Sequence, residues 1–415
     1  MDISNHKITN TSFRILTSGI IKSWQFVTLL FFLSPLFALP FIFVEIYNKK
    51  RYAFSLLAIF MGFAALLFPP MYDSYRHYMD FFNLQEGVYY NLTNEAKFDF
   101  LLLSLDKIID RLGLYFEIVK FITVWISYEI IFWIYRDIIK RNPYLKENHF
   151  IVFLLLFLAF PFIDLTLGMR QLQGTCLFVL GIYLLFYKNK WGYVFTILAC
   201  CMHFSFLIYI LPFIIFINRG VRVSKKKVFF MLGLIIIFLN PIVINKIIAM
   251  LPLPTPLYVI IDGYLNGKYS EARLENRNLN YLFFFWFTQI PLFIYMYCSL
   301  RLSNKKFTSL SRLSLIILVL DYCISFILFG RFIIIFVFTT ICAILQNGFP
   351  HLKKLLTILV FFSFLATTMS LIPYRKVITS SYEYRLAWPV PIILLSNYSP
   401  QWIFDHFDAD GYPKP

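Results

Sequence analysis

The chain has 415 residues, of which 60% are hydrophobic and only 14% charged, with 50 phenylalanines and a mean hydropathy of +0.71. Soluble domains carry about 25% charged residues, so this composition excludes a water-soluble fold and points to helices of about 20 apolar residues crossing a bilayer. The net charge of +16 comes from 38 basic against 22 acidic side chains. Its basic residues sit in short turns between apolar runs (Lys49-Lys50-Arg51, Lys188 and Lys190, Lys225–Lys227, Lys305-Lys306, Lys353-Lys354), as the positive-inside bias dictates. The excess is therefore topological, and no nucleic-acid partner is expected.

The apolar runs predict an all-α, polytopic membrane bundle of about 11–12 transmembrane segments. The spans fall near 24–47, 52–70, 115–135, 150–168, 171–187, 191–217, 228–248, 281–300, 310–329, 331–347 and 355–372. The whole of 1–415 reads as one membrane domain, with no cleavable leader before Trp24–Tyr47. Pro35 and Pro40 leave open whether 24–47 crosses once or folds back, and with it the side of the N-terminus. With the basic turns in the cytosol, 71–114, the 168–171 turn, 249–280 and the tail 373–415 lie outside. The seven acidic against four basic residues of 71–114 agree with that side.

After the second span, MYDSYRHYMDFF (71–82) sets Asp73, Arg76, His77 and Asp80 among aromatic residues, including Tyr75. Such rings suit the apolar faces of sugars, or anchor a membrane interface. The stretch 100–114 has apolar positions at helical spacing with Asp106, Lys107, Asp110 and Arg111 on the other face, a surface-lying amphipathic helix. The run 191–217 has basic residues at both ends, so it reads as a bent hairpin or two half-helices turning near His203. Irregular backbone at that depth is tolerated where it lines a cavity.

Eight arginines fall on the outer side: Arg76, Arg111, Arg170, Arg273, Arg277, Arg331, Arg375 and Arg385. A guanidinium grips phosphate with two parallel bonds, and a lipid-linked pyrophosphate is the anion such a cluster suits. Arg170 and Arg331 sit in minimal turns between apolar runs, where a charge turns inward. Arg273 and Arg277, four apart, share a helix face. Arg111 and Arg375 read as surface anchors. His203 is either a packed core histidine or a proton acceptor near neutral pH. Glu129 and Asp321, each mid-span, would be proton-relay groups in a transporter or partners for an arginine. Asp408-Ala409-Asp410 reads as chance in a polar tail, and the sequons at Asn10, Asn91 and Asn397 carry little. The six cysteines all lie in apolar runs without metal spacing. No phosphate-binding glycine loop, dinucleotide fingerprint or zinc-protease motif occurs. No cofactor or metal is expected.

GMRQLQGTCLFVLGIYLL, a short basic turn and then WGYVFTILACCMHFSFLIYILPF resemble the bacterial polysaccharide repeat-unit polymerases of the Wzy/EpsG group, which make O-antigen, capsule and exopolysaccharide. In that group an arginine followed by glutamine opens a helix, and a histidine with a nearby serine comes about 30 residues later. Here these are Arg170-Gln171 and His203 with Ser205. The likeness covers about 145–217, is looser over 71–82, and is not traced through the last 150 residues. It implies a metal-independent membrane glycosyltransferase in the bacterial cytoplasmic (inner) membrane. The growing glycan would pass from undecaprenyl pyrophosphate to a new lipid-linked repeat unit at the periplasmic face. Arg170, Gln171, Arg331, Arg273, Arg277, Arg76 and Tyr75 would bind pyrophosphate or sugar, and Asp73, His203 and Arg170 would carry the chemistry. Membrane lipids, a chain-length regulator and a flippase are the expected companions. A ligase of the same chemistry and a lipid-linked oligosaccharide flippase or secondary transporter are the rival readings.

Overall fold

The computed structural model describes residues 22–85, 100–238, 279–303, 305–324, 326–347, 352–408 and 411–414. In order they form α1 (Ser23–Leu33), α2 (Pro35–Tyr47), α3 (Arg51–Leu67), α4 (Asp73–Gln85), α5 (Phe100–Arg111), α6 (Phe116–Arg141) and α7 (His149–Leu158). Then come α8 (Phe162–Leu167), α9 (Met169–Phe186), α10 (Trp191–Met202), α11 (Phe206–Arg219) and α12 (Lys225–Phe238). The last third holds α13 (Leu279–Arg301), α14 (Lys306–Ile324), α15 (Phe326–Asn347), α16 (Leu352–Leu371), and the short α17 (Arg375–Ser380), α18 (Val390–Leu394) and α19 (Pro400–His406). No strand occurs among the described residues, and the chain is an all-α polytopic membrane protein.

Among the described residues four stretches are long and apolar enough to cross a bilayer unaided: Phe116–Arg141, Met169–Phe186, Phe329–Asn347 and Leu352–Ser380. Several runs that read as single spans are divided. Residues 24–47 break at Ser34, whose extended backbone (φ −163°, ψ 100°) ends α1 before Pro35 opens α2. Residues 150–168 break before Pro161, because a proline disfavours helix in the residue preceding it. The freed carbonyl of Phe160 accepts a hydrogen bond from Tyr128 Oη at 3.1 Å.

The hairpin expected in 191–217 is present. α10 has 12 residues and α11 has 14, so at 1.5 Å per residue they reach about 18 and 21 Å, short of the roughly 30 Å hydrocarbon core. Their ends away from His203 are fastened by Tyr193 and Asn218, whose side chains hydrogen-bond at 3.0 Å.

The basic turns gather at one end of the bundle. There Gln346 donates to Tyr187 Oη at 3.1 Å, Lys305 to the Gln346 carbonyl at 3.3 Å, and the Arg141 guanidinium lies 4.0 Å from the Tyr187 ring centre. Arg312, fully buried, donates to the carbonyls of Ser299, Val223 and Leu302. At the opposite end the tail folds back on the bundle. Tyr398 donates through its hydroxyl to the Leu67 carbonyl and through its backbone to Glu117 at 3.2 Å, while its carbonyl accepts from Tyr78 at 3.2 Å. Buried Lys120 donates to the carbonyls of Phe68 and Leu66, covering the open C-terminal end of α3. α5 forms as expected, with Lys107 and Arg111 exposed. Asp106, placed on its polar face by the spacing, is instead buried, because α5 packs against α4, α6 and α10 rather than lying alone.

Candidate functional site

The end opposite the basic turns brings Asp73, His77, Arg170, His203 and Arg331 together. Asp73 is the first residue of α4, where a carboxylate meets the positive end of the helix dipole. The preceding Tyr72 holds a left-handed backbone (φ 52°), a conformation uncommon for a bulky residue. It is braced by the tail: Tyr72 N–H donates to the Gly411 carbonyl at 3.1 Å, and the Tyr412 ring packs edge-on at 5.0 Å. Gly411 (φ 79°) sits directly on Tyr75, where an added Cβ would come within 2.6 Å of its Cβ and 2.7 Å of its ring.

Arg170 lies in the first turn of α9. The neighbouring Met169 is buried, its sulfur accepting from Ser74 at 3.5 Å. That contact sets the two helix starts side by side, and Arg170 donates to Asp73 Oδ1 at 2.9 Å. His77, one turn along α4, places Nε2 3.7 Å from Asp73 Oδ2. Loss of water around the Asp73 carboxyl pushes its pKa up, but His77 beside it and the Arg170 charge outweigh this and hold it well below the usual carboxylate range. Both members of the ion pair stay partly open, with side chains 29% and 23% exposed.

Glycines bring the hairpin to this place. A Cβ on Gly181 would meet the Gly192 carbonyl at 2.9 Å and one on Gly192 the Gly181 carbonyl at 2.6 Å, so α9 and α10 touch backbone to backbone. Gly174 leaves room for the Phe206 ring, 2.5 Å from where its Cβ would be. His203 therefore arrives beside the start of α9. Its Nδ1 receives the Ser205 backbone N–H at 3.2 Å and lies 2.8 Å from Ser205 Oγ. The ring stacks on Phe204 at 5.3 Å, and the charges of Arg331, Arg170, Asp73 and His77 all act on it.

The other expected residues divide. Arg331, half-buried near the start of α15, joins the cluster and also acts on Tyr209, whose hydroxyl donates to Asp321 at 3.1 Å. Asp321 is thus tied to this end of the bundle. Gln171 is buried, its backbone carbonyl accepting from Thr175. Tyr75 is buried under Gly411 and beside Phe407, which makes it a packing residue for the tail. Arg76, three residues on from Asp73 in α4, is exposed. Arg273 and Arg277 lie outside the described residues. Arg385 is enclosed by Tyr382, Tyr384 and Trp388 and donates to Ser396 at 2.8 Å. Asp408 accepts the Tyr412 N–H at 2.8 Å and closes a turn, and Asp410 lies outside the described residues. His77, one of the polar residues of 71–82, has no role in the sequence reading of the site, although its spacing of four from Asp73 marks one helix face. Nothing in the sequence around Glu117 and Lys120 points to their burial together.

A carboxylate, two imidazoles and two guanidiniums at one end of an apolar bundle can hold an anion and handle a proton there. Fold and cluster together define a polytopic membrane protein with a charged site at one end of its helices. The sequence model of the EpsG family matches residues 71–386, more than half of the chain. The protein belongs to the EpsG family, a family of polysaccharide polymerase-like membrane proteins. The match runs well into the last 150 residues, beyond the motifs around Arg170 and His203 that carry the resemblance. Comparison with curated proteins and with solved structures gives no match.

Proposed function

We propose that the protein is a membrane glycosyltransferase that polymerises lipid-linked oligosaccharide repeat units at the outer face of a bacterial cytoplasmic membrane. The observation that carries this is the convergence of Arg170 and Arg331 with Asp73, His77 and His203 at the end away from the basic turns, in a member of this family. The arginines would hold the donor's pyrophosphate and stabilise the charge it gains on leaving. In the transfer, the acceptor hydroxyl oxygen bonds to the donor's anomeric carbon. The bond from that carbon to the pyrophosphate oxygen breaks, and its electron pair leaves with the phosphate. The hydroxyl proton passes to a side chain of the site, for which Asp73 and His203 are the two candidates. Undecaprenyl pyrophosphate is the expected carrier, and the apolar bundle would accommodate its tail.

The test is the chain-length ladder of surface polysaccharide in a deletion strain. Loss of polymer with survival of the one-repeat product is expected. A deletion that leaves polymer length unchanged would remove the proposal, and loss of transfer of a finished glycan to another acceptor would mark a ligase instead.

A further inference from the structure

We infer that His203 acts as a neutral hydrogen-bond donor through Nε2, fixed in that form by Ser205, and that it donates to an anionic oxygen of the substrate and does not accept a proton. This rests on the polymerase reading for what the ring meets, but the form of the ring stands on geometry alone.

A backbone N–H has a hydrogen to give and no lone pair to offer. The Ser205 N–H, 3.2 Å from Nδ1, therefore requires Nδ1 to be the accepting nitrogen. Ser205 Oγ, 2.8 Å from the same atom, then donates as well. A hydrogen on Nδ1 would face the Ser205 N–H directly, which disfavours both the other neutral tautomer and the imidazolium. The proton of the neutral ring must lie on Nε2, and which nitrogen is protonated is set by the bond the other makes. No hydrogen bond from a described residue reaches Nε2. The ring is immobilised between Phe204 and Phe206 with its Nε2–H in hand.

The backbone that enforces this is local. His203 ends α10 with an extended conformation (φ −155°, ψ 120°), and the chain turns at once into α11. The spacing of two between histidine and serine is what lets a residue's own successor reach its Nδ1. Ser205 is thus a positioning residue. The groups around the ring are Arg331, Arg170, Asp73 and His77. Two guanidiniums near an N–H donor make a site for phosphate oxygen, and Asp73 is left as the candidate for the acceptor's proton.

The direct test needs no substrate. Nitrogen NMR of the purified full-length protein labelled with ¹⁵N-histidine, assigned by comparison with His203→Asn, should show His203 unprotonated at Nδ1 and protonated at Nε2 at neutral pH. A proton on Nδ1, or an imidazolium, overturns the inference. Ser205→Ala retains the backbone N–H and should retain the tautomer.

The functional arm compares two amides in elongation of lipid-linked repeat units. A glutamine amide reaches the place of Nε2, whereas an asparagine amide reaches only that of Nδ1. His203→Gln should stay within about tenfold of the parent. His203→Asn should fall by a further factor of about ten or more, the scale of a lost hydrogen bond to a charged group. Gln and Asn variants equally inactive, together with an acid limb near the ordinary imidazole pKa of about 6.5 that disappears in His203→Gln, would restore the proton-acceptor role. His77 lies beside the ring, so that limb must vanish in His203→Gln and persist in His77→Gln. If the unaltered protein extends no lipid-linked glycan at all, the polymerase reading fails while the NMR still decides the tautomer.

Discussion

Arg170 reaches across 97 positions of sequence to set its terminal nitrogen 2.9 Å from Oδ1 of Asp73. The guanidinium can hold this carboxylate and still offer its remaining donors to a phosphate, because it carries five N–H groups in a rigid fork. A lysine would keep the charge and lose the fork. We expect Arg170→Lys to insert at normal abundance and to lose roughly tenfold to hundredfold in polymerisation, the scale of one charged hydrogen bond. Combined with Asp73→Asn it should be non-additive, as for residues sharing one contact. Full-length polymer at the parent rate in Arg170→Lys would reduce the residue to an anchor.

The depressed pKa of Asp73 has a definite sign. A carboxyl held below its unfolded value near 4 adds stability that is fully present above that value and lost only as pH falls through the lower, folded one. The melting-temperature gap between the parent and Asp73→Asn should therefore stay constant from about pH 8 to pH 5 and narrow only in stronger acid. A gap that closes at or above neutral pH would remove Asp73 as its source.

Gly181 offers a test of how the hairpin is held. A methyl group there meets the Gly192 carbonyl at 2.9 Å and the Thr196 nitrogen at 2.9 Å, backbone atoms that cannot turn aside. Gly181→Ala should destabilise the protein by about 1–3 kcal/mol, as overpacking does, seen as a lower melting temperature in detergent. Gly233→Ala, with open space around it, is the control and should be neutral or slightly stabilising. Equal melting temperatures for the two would mean that α9 and α10 do not meet at these glycines.

Sidedness can be read with single cysteines in a background without native thiols. Lys376 and Asn189 are exposed at the two ends of the bundle. Lys376→Cys should react with an impermeant maleimide in intact spheroplasts, and Asn189→Cys only after lysis. The reverse pattern would place the charged site in the cytosol and exclude an outer-leaflet polymerase.

A transporter would depend on the mid-span acids. Polymer length should survive Glu129→Gln unchanged. Asp321→Asn should cost little, because an amide oxygen still accepts the Tyr209 hydroxyl that binds Asp321 at 3.1 Å. Loss of export in both variants, with Arg170→Lys silent, would favour the flippase.

The sequence announced what depends on local composition. Apolar run length defined the helices, and basic residues at both ends of 191–217 revealed the hairpin. Proline at 161 carried the signal for the break that a hydropathy window passes over. Arg170 and His203 were legible because charge in an apolar run is costly. Their company was less so. The Asp73–Arg170 pair and the burial of Tyr75 depend on contacts between distant segments, for which spacing along one helix holds no information. The spacing of 100–114 puts Asp106 on the polar face, and only the packing of α5 against α4, α6 and α10 buries it. The aromatic tail around Tyr382, Tyr398 and Trp402 resembled a polar appendage, yet it supplies part of the wall behind Asp73.

Tyr72 and Gly411 lie far apart in the order in which the protein is made. Asp73 emerges with α4, but the carbonyl that braces the residue before it comes only after α19. Until then the start of α4 lacks its support from the tail. The site is therefore completed only when the segment around Gly411 docks, and a chain cut short before it would insert a bundle whose charged end is incomplete.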